Sequence, residues 1–244
     1  MDKLIYTAMS GAKATMGQQA SVAQNMANVS TNGFRTELHK LRAVPVQSPA
    51  MQTRAFVVDA SVASDFAPGP LLQTGAQHDF AINGPGWFVV QASDGKEAYT
   101  RNGNFTVDTE GVLRTQGGLA VMGDGGPMTL PPDNSIEVGQ DGTISATPVT
   151  GAKAGSAVGR LKLVNPPEAD LRRGDDGLFR TRSGTPAAQD DNVRVSGGFI
   201  EGSNVNIVDQ MVSMLSLARQ FEMQTRLLDT AQQDDKAATA IIAR

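Results

Sequence analysis

Lys3-Leu4-Ile5-Tyr6-Thr7-Ala8-Met9-Ser10-Gly11-Ala12-Lys13-Ala14-Thr15-Met16-Gly17-Gln18-Gln19-Ala20-Ser21-Val22-Ala23-Gln24-Asn25-Met26-Ala27-Asn28 decides how the rest of this chain is read. Ile5, Ala12, Gln19 and Met26 recur every seventh residue, and Met9, Met16 and Ala23 hold a second heptad position beside Val22 and Val29. That spacing predicts a helix with one apolar face. The far end repeats the pattern: Met211, Ala218 and Thr225 alternate with Met214, Phe221 and Leu228, flanked by Val208, Val212 and Leu215. A terminal helix that cannot cover such a stripe on a β-domain has to cover it on the other terminus or on another copy of the chain. Gly11 and Gly17 lie inside the first helix and each costs about 1 kcal/mol relative to Ala, so the helix alone is weak and its order is expected to come with assembly.

The first helix is expected over about Lys3 to Asn28, ended by Ser30-Thr31-Asn32-Gly33, whose Asn and Gly tolerate the left-handed conformation. From Phe34 to Leu72 the pattern is mixed and broken by Pro45, Pro49 and Pro68-Gly69-Pro70, which reads as an extended connector. From Gln73 to Gly198 the apolar period is two. Asp79-Phe80-Ala81-Ile82 and Gly86-Trp87-Phe88-Val89-Val90 are short strands, and Tyr99 to Val107 is a strand pair or bulged strand around Asn102-Gly103. Asp94-Gly95, Glu110-Gly111, Gly117-Gly118, Asp124-Gly125, Asp141-Gly142 and Asp176-Gly177 space further β-prone runs such as Ile136-Glu137-Val138 and Leu161-Lys162-Leu163-Val164. The last helix is expected to start at an N-cap in Ser203-Asn204 and to run to about Ala231, with a helix-compatible apolar tail beyond. The expected fold class is therefore α+β: N- and C-terminal helices pairing as a coiled-coil-like unit (1–33 and 199–244), an extended connector (34–72) and a central all-β domain (73–198).

Composition narrows the function classes. With 244 residues, 40% of them apolar and 19% charged, the chain is globular and has room for two packed units. A net charge of −4 without any Lys/Arg run gives no reason to expect nucleic acid. There is no Cys, hence no disulfide and no thiolate metal site. The opening residues lack a basic region followed by an apolar core, so no cleaved secretion signal is expected, and nothing approaches the roughly 18 apolar residues of a membrane span. The first helix carries only Lys3 and Lys13 among Gln18, Gln19, Gln24 and Asn25, which suits protein neighbours better than a membrane surface.

Catalytic constellations are scarce. His39 and His78 have no second His, Cys or carboxylate cluster at ligand spacing. Most Asp residues of the β-region precede Gly, where the carboxylate caps its own turn. Gly123-Asp124-Gly125-Gly126 and Asn83-Gly84-Pro85-Gly86 lack the Lys-Ser/Thr and helix of a phosphate loop and read as hairpin turns. Trp87-Phe88 reads as part of an alternating core strand rather than a ligand platform. No catalytic residue, cofactor or metal is expected, and the chain is read as a structural subunit rather than an enzyme.

Four stretches carry a family resemblance. Asn25-Met26-Ala27-Asn28-Val29-Ser30-Thr31-Asn32-Gly33-Phe34-Arg35 resembles the N-terminal signature of the bacterial flagellar rod and hook family. Glu201-Gly202-Ser203-Asn204-Val205-Asn206, followed by Met211, Met214, Arg219 and Phe221-Glu222, resembles its C-terminal signature. Asp79 to Phe88 and Tyr99-Thr100-Arg101-Asn102-Gly103-Asn104-Phe105 are similar to the β-domain motifs of the same family, with Trp87 where the family often has Phe. Met1 to Ala12 and Leu41-Arg42-Ala43-Val44-Pro45-Val46 are most similar to the proximal-rod members, and a distal-rod member is the alternative.

The resemblance implies a subunit of the basal-body rod in the periplasmic space. Such a subunit is exported without a cleaved signal by the flagellar type III apparatus and stacked helically into the drive shaft. Its partners would be copies of itself and other proximal and distal rod subunits, with no nucleic acid and no direct membrane insertion. The expected assembly interface is Ile5, Met9, Ala12, Met16, Val22, Met26, Asn28, Gly33 and Phe34 from the front, with Asn204, Val205, Val208, Met211, Met214, Leu215, Ala218, Phe221 and Leu228 from the back. Two readings of other classes compete: a secreted β-domain hydrolase, which would need a convergent acid-base set, and an adhesin stalk, which would need longer heptads and an anchor.

Overall fold

The computed structural model describes residues 2–45, 55–132, 134–148 and 155–242. The chain forms two compact units, one of Met1–Val29, Thr36–Asp65 and Val205–Arg244, the other of Ser30–Arg35 and Phe66–Asn204.

The first unit holds helix α1 (Asp2–Ala27), strands β1 (Glu37–Pro45) and β2 (Ala55–Ser64), and helix α2 (Ile207–Ile242). The two helices pack on each other. Residues 11 and 15 of α1 meet residue 224 of α2, whereas residue 25 meets residue 210, so the helices run antiparallel. Helix α2 starts later than expected. Gly202 N donates to Pro70 O, Asn204 N to Phe34 O and Asn204 Nδ2 to Ala67 O, which commits the Ser203-Asn204 stretch elsewhere. Asn206 is the cap instead, its Oδ1 accepting from Val208 N at 3.0 Å. The helix also passes Ala231 and reaches Ile242. At 36 residues it is about 54 Å long.

Within 34–72, read as an extended connector, the backbone is extended but paired. β1 and β2 form an antiparallel hairpin in which Lys40 faces Ser61 and Leu41 faces Asp59, leaving Ala60 as a bulge. The Val-rich run of Ala55–Ser64 suits a strand. Pro45 closes β1, and Pro49 lies outside the described residues. Asn25 of α1 fixes where the hairpin begins: its Nδ2 donates to Glu37 O at 2.9 Å and its Oδ1 accepts from Glu37 N at 2.8 Å.

Among its described residues the second unit is all-β apart from one 3₁₀ turn. Its strands are β3 (Leu71–Gln73), β4 (Phe80–Asn83), β5 (Trp87–Gln91), β6 (Glu97–Thr100), β7 (Phe105–Val107), β8 (Leu113–Thr115), β9 (Met122–Gly123), β10 (Gly126–Pro127), β11 (Asn134–Val138), β12 (Thr143–Pro148), β13 (Ser156–Arg160), β14 (Leu163–Val164), β15 (Leu171–Arg173), β16 (Phe179–Thr181), β17 (Arg194–Gly197) and β18 (Phe199–Glu201). A five-stranded antiparallel sheet of order β14-β5-β6-β16-β15 is its centre, beside a three-stranded β11-β12-β13 sheet and the pairs β17-β4, β18-β3, β7-β8 and β9-β10. Strand β5 is buried on both faces. Phe88 and Val90 enter a core with Phe80, Phe105 and Leu113, while Trp87 and Val89 enter a second core with Tyr99, Val164 and Phe179. The Trp87 and Phe179 rings stand 4.7 Å apart.

Two turn assignments change. Asp124-Gly125 does close a hairpin, between β9 and β10. Asn102-Gly103, however, links strands of different sheets, since β6 pairs with β5 and β16 whereas β7 pairs with β8. Gly103 is there for close approach: Phe80 N donates to Gly103 O at 2.9 Å, and a Cβ on Gly103 would fall 1.6 Å from Phe80 O. Asn83-Gly84-Pro85-Gly86 likewise passes from the β17-β4 pair to the five-stranded sheet. Period-two patterning locates strands but does not name their partners, which is why both links resemble hairpins in sequence. Gly103→Ala is expected to destabilise this unit by about 2 kcal/mol or more, because backbone must move to admit the methyl. Thermal unfolding of the variant checks this.

Candidate functional site

Three of the stretches singled out in sequence meet inside the second unit. Arg35, Arg101 and Glu201 are 1%, 4% and 1% exposed. Arg35 Nη1 stands 2.7 Å from Glu201 Oε1, and Arg101 Nε stands 3.3 Å from Glu201 Oε2. Backbone fixes the same residue, with Gly69 N donating to the carboxylate Oε1 of Glu201 at 2.9 Å and Gly33 N donating to its main-chain O at 2.7 Å. Gly33 sits at φ +68°, and a Cβ there would lie 2.4 Å from the Arg101 carbonyl carbon, so glycine is required on both counts. Phe34 is buried under the Arg173 guanidinium, 4.3 Å from its ring centre, and Arg173 Nη1 donates to Arg35 O.

Two cations share one anion here, so the cluster carries a net buried positive charge. Burial pushes Arg101 down to about 10, opposed by the charge of Glu201 and aided by Arg35. The guanidinium remains charged at neutral pH. Arg101 Nη2 donates to Gly84 O at 2.5 Å, while Arg35 Nε and Glu201 Oε2 have no hydrogen-bond partner. Such an arrangement can hold strands together, but it offers no nucleophile and no general base. Glu201 is engaged on both oxygens by cations, and neither arginine is placed to exchange a proton. All three residues lie inside the motifs quoted above, where nothing in the sequence pairs them. Their signal was a charge embedded in each of three turn-rich, otherwise neutral stretches.

The helices of the first unit carry the remaining site residues. Met9 and Met16 of α1, with Val208, Met211 and Leu215 of α2, have at least half of their surface exposed. Ala12, Val22, Met26, Asn28, Met214, Ala218, Phe221 and Leu228 are half-buried, and the Ile5 side chain lies outside the described residues. Gly33, Phe34 and Asn204 take intrachain roles in the second unit, and Val205 is buried. Where α1 and α2 touch, the contacts are polar or small: Thr15 Oγ1 donates to Gln224 Oε1 at 3.2 Å, Asn25 Nδ2 donates to Gln210 Oε1 at 3.3 Å, and Gly11 faces Gln224. The most exposed apolar side chains, Met9 and Met16 on α1 and Val208, Met211 and Leu215 on α2, lie away from this seam, whereas Met214, Phe221 and Leu228 share its heptad face and are half-buried.

The turn aspartates behave as caps. Asp94, Asp141 and Asp176 accept from the backbone N–H of Lys96, Thr143 and Leu178. The Thr143 hydroxyl holds the Asp141 carboxyl below its ordinary value, and the Arg180 guanidinium does the same for Asp176. Their stabilising contribution is present above the ordinary carboxyl value of 3.8 and fades as pH falls through the lowered one. Among the described residues no three His, Cys, Asp or Glu side chains stand together as a metal site, and no helix is long and apolar enough to cross a membrane.

Comparison with known proteins accounts for this layout. Residues 81–146 match the flagellar hook protein FlgE/F/G D1 domain, and residues 196–241 match the flagellar basal body rod FlgEFG protein C-terminal domain. The flagellar basal-body rod protein FlgF of Salmonella typhimurium is 43% identical over the whole of this chain and 99% of its own length. The chain belongs to the flagellar basal-body rod protein family. FlgF of Escherichia coli is 44% identical over 98% of this chain and 97% of its own. FlgG of Buchnera aphidicola, from the Schizaphis graminum host, matches less strongly, at 29% over 87% of this chain and 89% of its own. The likeness is thus stronger to FlgF than to FlgG, and the family is structural rather than enzymatic.

Proposed function

We propose that this chain is a subunit of the proximal rod that builds a helical shaft with copies of itself and other rod subunits, and that the shaft carries motor torque across the periplasm. In this reading the terminal helices of the first unit form a coiled-coil-like inner assembly domain with the β1–β2 hairpin packed on it, and the second unit, Ser30–Arg35 with Phe66–Asn204, is a β-domain that folds by itself. Export runs through the flagellar type III apparatus, without a cleaved signal. The observation that carries the proposal is the exposed apolar surface on both helices: Tyr6, Met9 and Met16 on α1, and Val208, Met211, Val212, Leu215, Met223 and Leu227 on α2. Surface of that kind is what a neighbouring helix covers. Met211→Asp with Leu215→Asp therefore leaves the melting temperature of the free chain within about 2 °C, because both residues are already exposed, yet abolishes assembly. Scanning calorimetry of the free chain and basal-body isolation from the complemented deletion strain read the two arms. Normal rods from the double variant would reject the proposal.

A further inference from the structure

We infer that the polar contacts between α1 and α2 set the register of the helix pair. Met214, Phe221 and Leu228 recur every seven residues on α2, so sliding one helix past the other by a heptad, about 10 Å, exchanges one apolar residue for another at little cost. The polar seam does not tolerate the slide. Thr15, 2% exposed, would leave Gln224, face Leu217 or Ala231 and keep only Gly11 O of its own helix, 3.0 Å away, while the second proton of the Asn25 amide would lose Gln210 outright. A buried amide that finds its full set of partners in only one pairing is the best-attested device for fixing one helix register among several. Gly11 adds shape to the chemistry, since a Cβ at that position would press to 3.1 Å from Gln224 Nε2.

The consequence, which rests on the assembly reading, is that register decides which exposed residues of the two helices stand level for a neighbouring subunit. The register claim itself does not depend on assembly and is tested without it. The chain has no Cys, so thiol pairs report cleanly. Gly11→Cys is combined with Gln224→Cys for the observed register, which removes the Thr15 partner and leaves Asn25–Gln210 to hold that register, or with Leu217→Cys or Ala231→Cys for the two slipped ones. Each full-length chain, in dilute solution, is treated with a short bis-thiol crosslinker. The observed pair is expected to link about tenfold more than either slipped pair, and Thr15→Val with Gln210→Leu in the same chains brings the three within about threefold of one another. Thr15→Ser keeps the preference. A double variant that retains the tenfold preference, or parent chains in which slipped pairs link as well as the observed one or no pair links at all, would overturn the inference. Sedimentation at high concentration, read on the same samples, reports assembly separately.

Discussion

Glu201→Gln lowers the stability of the all-β unit by about 3–5 kcal/mol, because it leaves the buried cations Arg35 and Arg101 facing each other with no anion between them. The shift in melting temperature is expected to be about 10 °C, at roughly 2–4 °C per kcal/mol for a domain of this size. Removing the whole cluster is milder. Arg35→Met, Arg101→Met and Glu201→Leu together are expected to cost less than the single Glu201 change, since apolar side chains of similar volume need no counter-charge. Calorimetry of the parent, the Glu201→Gln variant and the triple variant compares the two costs. If the triple variant is the least stable of the set, the ion pairs contribute more than their desolvation costs, and the stated balance of terms is wrong.

Phe221→Asp is expected to abolish rod assembly and motility while the all-β unit stays folded. Phe221 shares the heptad positions of Gln210, Met214 and Gln224, the α2 face turned to α1, and is half-buried there. A carboxylate at that position loses solvent without gaining a cation, a cost on the order of a few kcal/mol against a pairing held by few polar contacts. Asp124→Ala and Asp141→Ala would disable an enzyme that used those carboxylates, yet both are expected to swim normally, since Asp141 serves only to cap its own turn at Thr143. Swimming halos of the complemented deletion strain separate the two outcomes. A motile Phe221 variant beside a non-motile Asp variant would reverse the functional reading.

These two experiments probe features that differ in how far they were legible in the chain. The helices were visible because a heptad of Met, Ala, Val and Leu states its own period over many turns, and α1 falls within a residue of the expected span. The strands around Phe80 and Trp87 were visible for the same reason at period two. The hairpin of β1 and β2 was not: its second strand sits in a mixed stretch, and its partner could be named only once the chain had turned. Nor could the sequence tell a hairpin from a crossing at Asn102-Gly103, because the requirement for glycine there comes from Phe80, more than twenty residues away.

What the sequence determined by itself is the local layer: two amphipathic helices enclosing a turn-punctuated β-region, the absence of thiol chemistry, and a set of motifs similar to flagellar rod proteins. Those follow from periodicity and residue type, which act between near neighbours. Tertiary structure alone decided that Arg35, Arg101 and Glu201 form one buried cluster, and that α1 and α2 meet through Thr15, Asn25, Gln210 and Gln224 while Met9, Met16, Met211 and Met223 stay outside. A heptad shows that a helix has an apolar face, but not whether that face or the polar positions beside it take the first partner. That choice is made by long-range hydrogen bonds and charge pairing, whose energies depend on distances that only the folded chain sets.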